Sequence, residues 1–497
     1  MNRRVLAVPL APPTPVRVRR RVLAATGAAY VVVLLDASIV NVALPGVSGS
    51  LGVGVDGLQW VVNAYTLAFA ALLLTGGTLA DRWGAQQAYV AGLLLFTAAS
   101  AGCGLAGGFP ALAAGRAVQG AGAAVLVPAA LKLIDQAHPE PGPRARAIGV
   151  WMSLGAVAMA AGPLVGGGLI SWLGWRSVFF VNLPIGLAGV WLARSVTGRA
   201  VEPVPQRLDV AGQVAAAVAL GLPIAALIQG RDWSAVAVLA VLAVSAAAAV
   251  AFVVAEVRSP HPMLPLSLFR SRVFAGSAVV SAASALVFYG LLFVCGLYFQ
   301  QVRGYSPLRA GLALLPLTAT VAVGGFGSAR VARLLGPRWS MCAAFGAYAA
   351  GALTLLAASP TSPYWHAAAP MVAIGLAGGF ISPAATAPAL STVDKARTGI
   401  AAAALNTARQ TGSALGVAAF GSLITTARPF TGGLHAVLYV IAAVSVAAAA
   451  VWAAAWRPTA RAGRGLRTSA AQPSCPSSAG SPGRTAPSGR RGHSRTL

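Results

Sequence analysis

The strongest candidate for chemistry is Asp36, a carboxylate near the middle of the first long apolar run, residues 22–44. The chain has ten acidic residues, and the other nine fall in loops or at the ends of apolar runs. A charged Asp at the centre of a membrane-spanning helix costs about 2.5–3.5 kcal/mol, which makes it a functional candidate. Because removal from water favours the neutral carboxyl group, Asp36 can hold and release a proton near neutral pH. The alternative is a structural Asp bonded to a neighbouring helix.

A second polar group lies in the fourth apolar run, where offsets of three and four residues link Arg116, Gln119 and Gly120 to one helix face. A buried Arg in a membrane helix faces protein or water rather than lipid. Arg116 is therefore either a relay partner of Asp36 or a structural residue bonded to carbonyl groups of a neighbouring span.

Small residues form a stripe along the fifth apolar run, at Gly155, Ala158, Gly162 and Gly166. These positions fall within about 80° of one another around a helix, so another backbone can approach closely. Pro163 lacks an amide hydrogen, so the helix can bend there. The pairs Gly162-Pro163 and Gly166-Gly167 are more specific than a lone small-residue motif and indicate gating or close packing. Ordinary packing of membrane helices is the alternative.

The loop after the second apolar run, residues 77–84, carries Asp81 and Arg82 between Gly77 and Gly84. A carboxylate at a helix end can dock on the positive N-terminus of a neighbouring helix. We expect such a contact to be made and broken as the helices move. A solvated turn is the alternative.

Composition assigns the chain to a membrane. Of its 497 residues, 57% are hydrophobic and 9% are charged, whereas soluble domains hold about 25% charged residues. The net charge of +26 does not indicate nucleic-acid binding, because the Arg residues lie between apolar runs and in the two tails. Neither Lys132 nor Lys395 follows a Gly, which excludes a Walker A loop for ATP. CxxC and HExxH motifs are absent, and we expect no metal and no other cofactor.

Fourteen apolar runs are long enough to cross a bilayer, since about 20 helical residues span roughly 30 Å. Their centres are near Val33, Phe69, Leu95, Ala123, Val157, Leu187, Ala217, Ser245, Phe288, Leu317, Gly351, Gly378, Gly412 and Val444. A Gly-rich segment followed by Pro-Ala-Ala occurs in the fourth and twelfth runs, which fits two six-helix halves. We predict an all-α integral membrane protein with a basic tail at 1–21, an N-terminal half at 22–198, a central helix pair at 199–258, a C-terminal half at 259–456 and a disordered basic tail at 457–497.

The distribution of basic residues predicts the orientation. With the N-terminus in the cytoplasm, the inside loops hold Arg82, Arg144, Arg146, Arg194, Arg199, Arg207, Arg258, Arg270, Arg272, Arg330, Arg333, Arg338, Lys395 and Arg397. The outside loops hold only Arg176, Arg231, Arg303, Arg309 and Arg428. The positive-inside rule favours this orientation, and an even span count places both termini in the cytoplasm.

Together these segments resemble the major facilitator superfamily, specifically its fourteen-span drug:proton antiporters. The similar segments are residues 35–45 (first-span motif), 77–84 (signature loop), 116–122 (fourth-span motif), 155–167 (antiporter motif), 175–184, 298–307 and 406–412. The resemblance implies the major-facilitator fold, with two halves that rock around a midplane cavity and no enzymatic activity.

We therefore expect proton-coupled export of small amphipathic molecules, drugs or antibiotics, by a monomer in the cell membrane. Asp36 and Arg116 are the proton-coupling candidates. The cavity candidates are Asn41, Asn63, Tyr65, Gln119, Asn406 and Arg409. The gating and packing candidates are Gly77, Asp81, Arg82, Gly84, Gly155, Gly162, Pro163, Gly166 and Gly167. The alternatives are an exporter dedicated to one natural product or metabolite and a non-transporting membrane sensor.

Two departures from the family pattern bear on this expectation. Ala85-Gln86-Gln87 follow Gly84 where family loops carry basic residues, which weakens the expected cytoplasmic gate. The C-terminal half lacks deep acidic residues and offers Arg409 instead. Neutral or weakly anionic substrates are therefore expected at least as strongly as dications.

Overall fold

The computed structural model describes residues 16–194, 209–259, 262–394, 397–427 and 429–456. Within those ranges every regular element is a helix. Several predictions lie outside the described residues: the basic loop residues Arg199, Arg207, Lys395 and Arg428, most of the N-terminal tail, the boundary at 198–199, and the whole tail at 457–497.

The first part of the chain forms α1 (Val16–Leu51), α2 (Val55–Arg82), α3 (Ala85–Gly104), α4 (Phe109–Ala137), α5 (Pro141–Leu173), α6 (Ser177–Phe180) and α7 (Asn182–Arg194). These segments are helical because a helix satisfies its own backbone hydrogen bonds in the absence of water. Gly84, with φ +87°, separates α2 from α3, and Gly174, with φ +78°, ends α5. Both positions need the left-handed backbone that glycine tolerates.

The rest of the chain forms α8 (Val210–Gln229), α9 (Ala235–Arg258), α10 (Arg272–Leu297), α11 (Pro307–Leu355), α12 (Trp365–Ser391), α13 (Thr398–Thr426) and α14 (Phe430–Ala455). Side chains that accept from a backbone amide three residues on cap the starts of four helices: Asp209 for α8, Ser234 for α9, Ser271 for α10 and Ser306 for α11. These caps fix the residue at which each helix begins.

In the described chain, twelve helical segments are long and apolar enough to cross a membrane, whereas the sequence predicts fourteen spans. Two predicted spans, centred on Leu317 and Gly351, fall in the single segment α11, where Gly336 interrupts the helical geometry with φ +75°. A third, centred on Gly412, lies in α13, which is 29 residues long. The polar residues Asn406 and Arg409 reduce the apolar character of α13. The count of fourteen is therefore not confirmed.

The helices pack in two groups that meet along two lines. In the first group α1 packs on α5, and both α2 and α3 pack on α4; in the second, α11 packs on α12 and α10 on α13. The groups touch where α5 meets α11 and where α2 meets α13. Small residues at these contacts allow the close backbone approach that membrane helices use for association.

The pair α8 and α9 lies outside this core. The two helices pack on each other, and α8 also contacts α2 and α13. Thr75 of α2 donates to the Gln213 side chain of α8, which in turn donates to the Ala71 carbonyl. On α9 only Ser245 and Glu256 are buried. An apolar helix with so few buried residues faces lipid along most of its surface.

Candidate functional site

Asp36 and Arg116 form a buried ion pair between α1 and α4. The exposed fraction is 0% for Asp36 and 1% for Arg116, and Arg116 Nη1 lies 2.5 Å from Asp36 Oδ2. Removing one partner from a buried pair leaves an uncompensated charge and costs about 3–5 kcal/mol. The structure therefore brings the two predicted proton-coupling residues into direct contact.

Two amides complete the surroundings of the carboxylate. Gln119 Nε2 donates to Asp36 Oδ1 at 2.9 Å, and Asn182 Nδ2 donates to the same oxygen at 3.1 Å. Gln119 Oε1 also accepts from Arg116 Nη1 at 2.7 Å, so one amide bridges both charged groups. With the guanidinium, three donors converge on Asp36. This arrangement suits an ionised carboxylate, which only accepts hydrogen bonds.

Arg116 also contacts the neighbouring helix α2. Its Nε donates to the Val61 carbonyl at 3.0 Å, and its guanidinium carbon lies 4.5 Å from the centre of the Tyr65 ring. That distance is within the range of a cation–π interaction. Arg116 thus makes both contacts that the sequence left open, one to Asp36 and one to a backbone carbonyl.

A cavity of about 2890 Å³ lies between the two groups of helices. Its deep wall includes Asn41, Tyr65, Arg116, Asn406 and Arg409. From there the cavity extends to the side of the predicted cytoplasmic loops, where Gly77, Asp81, Asp135, Arg144 and Arg397 line it. Asp36 does not line the cavity; its partner Arg116 does. The Asp36 carboxylate therefore lies behind the cavity wall and contacts the wall residue Arg116.

The opposite side of the molecule is closed by contacts between the two groups. Gln59 of α2 donates to the Val417 and Ala418 carbonyls of α13, at 3.1 and 2.7 Å. Gln300, in the π-helical turn Tyr298–Val302, donates to the Val42 carbonyl of α1 at 3.1 Å. Because these bonds join the two groups at this end, the cavity is open toward the side of the predicted cytoplasmic loops.

Two predicted cavity residues lie behind the wall. Asn63 and Gln119 are both 0% exposed and do not line the cavity. Gln119 is used by the ion pair. Neither side-chain atom of Asn63 has a hydrogen-bond partner in the described part of the chain. Sequence spacing places a residue on a helix but does not say which of its faces meets the cavity.

The other predicted cavity pair, Asn406 and Arg409, lies on α13 on the far side of the cavity. Arg409 Nη2 donates to Asn406 Oδ1 at 2.5 Å, and Arg409 Nη1 donates to Ser382 Oγ of α12 at 3.2 Å. All three side chains are half-buried and line the cavity. The guanidinium is therefore held in place by two neutral oxygens.

Asp81 does not dock on a helix N-terminus as the sequence predicted. It forms an ion pair with Lys132 of α4, whose Nζ also donates to the Ala80 carbonyl at 3.2 Å. The pair forms because α2 packs on α4, and at 31% and 41% side-chain exposure it is partly screened by water. Arg82 is exposed, and Gln86 donates to the Ala193 carbonyl of α7 at 2.9 Å.

The predicted stripe of small residues on α5 packs against two different helices, α1 and α11. A Cβ atom at Gly155, Gly162 or Gly166 would collide with side chains of α1: Tyr30, Ser38 and Ile39, respectively. A Cβ at Gly167 would lie 2.6 Å from the Pro307 carbonyl oxygen of α11, and Gly311 of α11 packs on the Pro163 carbonyl. Gly155, Gly162 and Gly166 therefore pack within one group of helices, whereas Pro163 and Gly167 of the same helix contact α11 of the other group.

The predicted site omits Asn182, Ser100 and Gln59. In the structure, Asn182 and Ser100 adjoin the ion pair and Gln59 joins the two groups of helices. Asn182 bonds Asp36 and also donates to Ser100 Oγ at 3.0 Å, while Ser100 donates to the Phe179 carbonyl at 2.8 Å. Each is a polar residue inside or next to an apolar helix, and that signal marks such positions.

The comparisons with known proteins agree with this architecture. The sequence profile of the Major Facilitator Superfamily matches residues 26–417, and the chain belongs to that superfamily. The solved structure of the peptide transporter POT in complex with sulfate shares the fold, with a TM-score of 0.66 at 15% identity over 88% of this chain and 95% of that one.

Two relatives are considerably closer in sequence. The chain is 35% identical to the methylenomycin A resistance protein of Bacillus subtilis, over 85% of this chain and 91% of the relative. It is also 35% identical to the multidrug resistance protein Stp of Mycobacterium tuberculosis, over 81% of this chain and 75% of the relative. The relatives of this transporter are thus drug and antibiotic resistance proteins.

Proposed function

We propose that this protein exports small amphipathic molecules from the cytoplasm in exchange for protons, by alternating access. The observation that carries the proposal is the buried pair of Asp36 and Arg116, in which Arg116 forms part of the cavity wall. A titratable group bonded to a wall residue can convert a protonation event into a change at the cavity. Similarity to resistance proteins supports the outward direction of transport.

In the proposed cycle, a proton binds Asp36 while the cavity faces outside. Protonation removes the negative charge that holds Arg116, which weakens their contact and favours return of the cavity to the cytoplasm. Release of the proton inward restores the ion pair, and substrate entering from the cytoplasm then leaves on the next outward step. The geometry described above, with the pair intact and the cavity on the loop side, corresponds to the step after proton release.

The proposal includes fourteen spans in a monomer, with both termini in the cytoplasm. This count takes α11 as two spans that meet at Gly336 and takes α13 as one. Arg330, Arg333 and Arg338 surround the break at Gly336, and under the positive-inside rule they support a cytoplasmic position for that turn.

Cysteine labelling tests this topology in a variant that lacks the native cysteines. A membrane-impermeant thiol reagent added outside intact cells should modify Thr361→Cys, in the exposed loop between α11 and α12, and should spare Arg333→Cys. Permeabilising the cells should make Arg333→Cys reactive, which is the matched control. Strong labelling of Arg333→Cys in intact cells would mean that the orientation is reversed.

A second candidate is an exporter dedicated to one natural product. It is favoured by the relative whose name carries a single antibiotic, whereas the other relative is named for multidrug resistance. A broad exporter lowers susceptibility to several unrelated compounds, and a dedicated exporter lowers it to one.

A susceptibility panel in an efflux-deficient bacterial host tests export and distinguishes both candidates. The panel contains methylenomycin A and amphipathic antibiotics of cationic, neutral and anionic type. We expect cells that produce the protein to accumulate less of at least one compound, and a protonophore to abolish the difference. Unchanged accumulation across the panel, or a difference that survives the protonophore, would argue against proton-coupled export.

A further inference from the structure

Arg409 is a deep cationic side chain that the proposed proton cycle does not use. It is the twelfth of the 29 residues of α13, near the middle of that helix. Its two hydrogen-bond partners among the described residues, Ser382 Oγ and Asn406 Oδ1, are neutral. Among the residues that the structure describes, no carboxylate lies within 4.0 Å of its guanidinium. A charge in this position without a counter-charge indicates a function.

The rest of the cavity wall is also electropositive. Among the described residues, three carboxylates line it, from Asp81, Asp135 and Glu256, against seven cationic side chains, from Arg116, Lys132, Arg144, Arg146, Arg270, Arg397 and Arg409. The charge of Arg116 is compensated by Asp36 behind the wall, so Arg409 is the uncompensated charge at the deep end. A cleft with low-dielectric walls and one sign of charge concentrates ions of the opposite sign.

Two phenol groups line the same cavity as Arg409. They belong to Tyr30 of α1 and Tyr289 of α10. A phenolic hydroxyl can donate a hydrogen bond to an oxyanion. Phe288 and Leu34 add apolar surface to the same cavity. Hydrogen-bond donors around a guanidinium, next to an apolar wall, match a molecule with an anionic head and an apolar body.

We propose that Arg409 binds the carboxylate of the substrate, so that this cavity selects amphipathic monoanions with an aromatic or aliphatic body. The inference rests on the transport function proposed above and specifies its substrate class. The planar guanidinium can hold a carboxylate through two parallel hydrogen bonds, while Ser382 and Asn406 orient the side chain. Tyr30 and Tyr289 supply further donors to the same head group.

The test uses the full chain in lipid nanodiscs and three probes of one shape: naphthoate, naphthamide and naphthylmethylammonium. Binding is measured by the shift in thermal unfolding as a function of probe concentration. We expect naphthoate to bind at least about tenfold more tightly than the amide or the cation, since one charge-assisted bond contributes roughly that factor. Arg409→Gln should lower naphthoate affinity about tenfold and leave the amide within about twofold.

Two further variants separate recognition from total charge. Arg409→Lys keeps the charge but loses the planar fork, so it should retain part of the preference for naphthoate. Arg333→Gln removes an exposed Arg of α11 that does not line the cavity, and should leave all three affinities unchanged. If Arg333→Gln also removed the preference, general surface charge rather than the Arg409 site would be responsible.

Equal affinity for naphthoate and naphthamide, absence of naphthoate binding, or a preference that survives Arg409→Gln would overturn the inference. These measurements need no proton gradient, so their outcome is separate from that of the export assay. Acid-selective binding without proton-driven flux would refute the proposed function and leave the site. Proton-driven flux confined to neutral and cationic compounds would leave the function and refute the site.

Discussion

Asp36→Asn is expected to abolish proton-driven uphill export, with the rate falling to that of protein-free vesicles. The substitution keeps the shape of the side chain and removes the group that binds the proton. It also leaves Arg116 without a counter-charge in a fully buried position, which costs about 3–5 kcal/mol of folding stability. Uphill flux in proteoliposomes with an imposed pH gradient is the measurement, together with thermal unfolding of the purified variant.

A compensated variant separates loss of coupling from loss of stability. Asp36→Asn combined with Arg116→Gln restores neutrality, so most of the thermal stability should return while uphill export stays absent. Downhill exchange of substrate should persist in this variant, because the cavity survives. Asp36→Glu should retain partial export with a shifted pH profile. If either Asp36→Asn variant exported uphill at the wild-type rate, the proton site would lie elsewhere.

Gly167→Leu is expected to stop transport by preventing closure of the outer side. Even a Cβ atom at Gly167 would lie 2.6 Å from the Pro307 carbonyl oxygen and 2.8 Å from the Leu308 Cα, both in the backbone of α11. A side chain there forces α5 and α11 apart, while the packing within each group of helices is untouched. Insertion and amount of protein should be normal, and substrate flux should fall by at least about tenfold.

Gly168→Leu is the matched control, since a Cβ atom at Gly168 meets nothing within 4 Å. It adds the same volume to the adjacent residue of the same helix, and flux should stay near the wild-type rate. A cysteine at Ala37, which lines the cavity, reports the conformational state. External thiol reagents should modify it faster in Gly167→Leu than in Gly168→Leu. Equal labelling and equal flux in both variants would show that this contact does not control access.

The centre of the candidate site could be predicted from the sequence, because charged residues inside apolar runs carry a large free-energy cost and are easy to recognise. A carboxylate and a guanidinium inside apolar runs are expensive, so Asp36 and Arg116 stand out without any knowledge of the fold. The helical offset of three residues also places Gln119 beside Arg116, and the structure has that contact at 2.7 Å. The cost of a buried charge and the spacing of residues along one helix were sufficient to predict these positions.

The partners that come from distant segments could not be predicted in this way. Asn182 reaches Asp36 across 146 positions of sequence, and Gln59 reaches the Val417 carbonyl across 358. Such contacts depend on which helix faces are turned toward each other, and a neutral amide carries no large penalty that would mark its role. The same limit explains why Asn63 was expected in the cavity and lies behind its wall.

The predicted number of spans shows a different limit. Apolar run length identifies spans well when the helix is uniformly apolar, as in α9. It is less decisive for α13, where Asn406, Arg409 and the residues around them face a cavity instead of lipid. Polar residues that face a cavity thus weaken the hydropathy signal of the helix that carries them.

The roles proposed for Asp36, which would bind the proton, and for Arg409, which would bind the substrate, have an electrical consequence. One proton moving inward releases about 2.3 kcal/mol at 100 mV, and one pH unit adds about 1.36 kcal/mol. Exchanged one-for-one, a monocation gains only about tenfold accumulation because the voltage terms cancel, and a neutral molecule gains about 500-fold. A monoanion that binds Arg409 gains about 20,000-fold, since its exit moves a second charge in the same electrical direction as the proton. Under the proposed mechanism, export of an acid is therefore a two-charge current, driven mainly by membrane voltage.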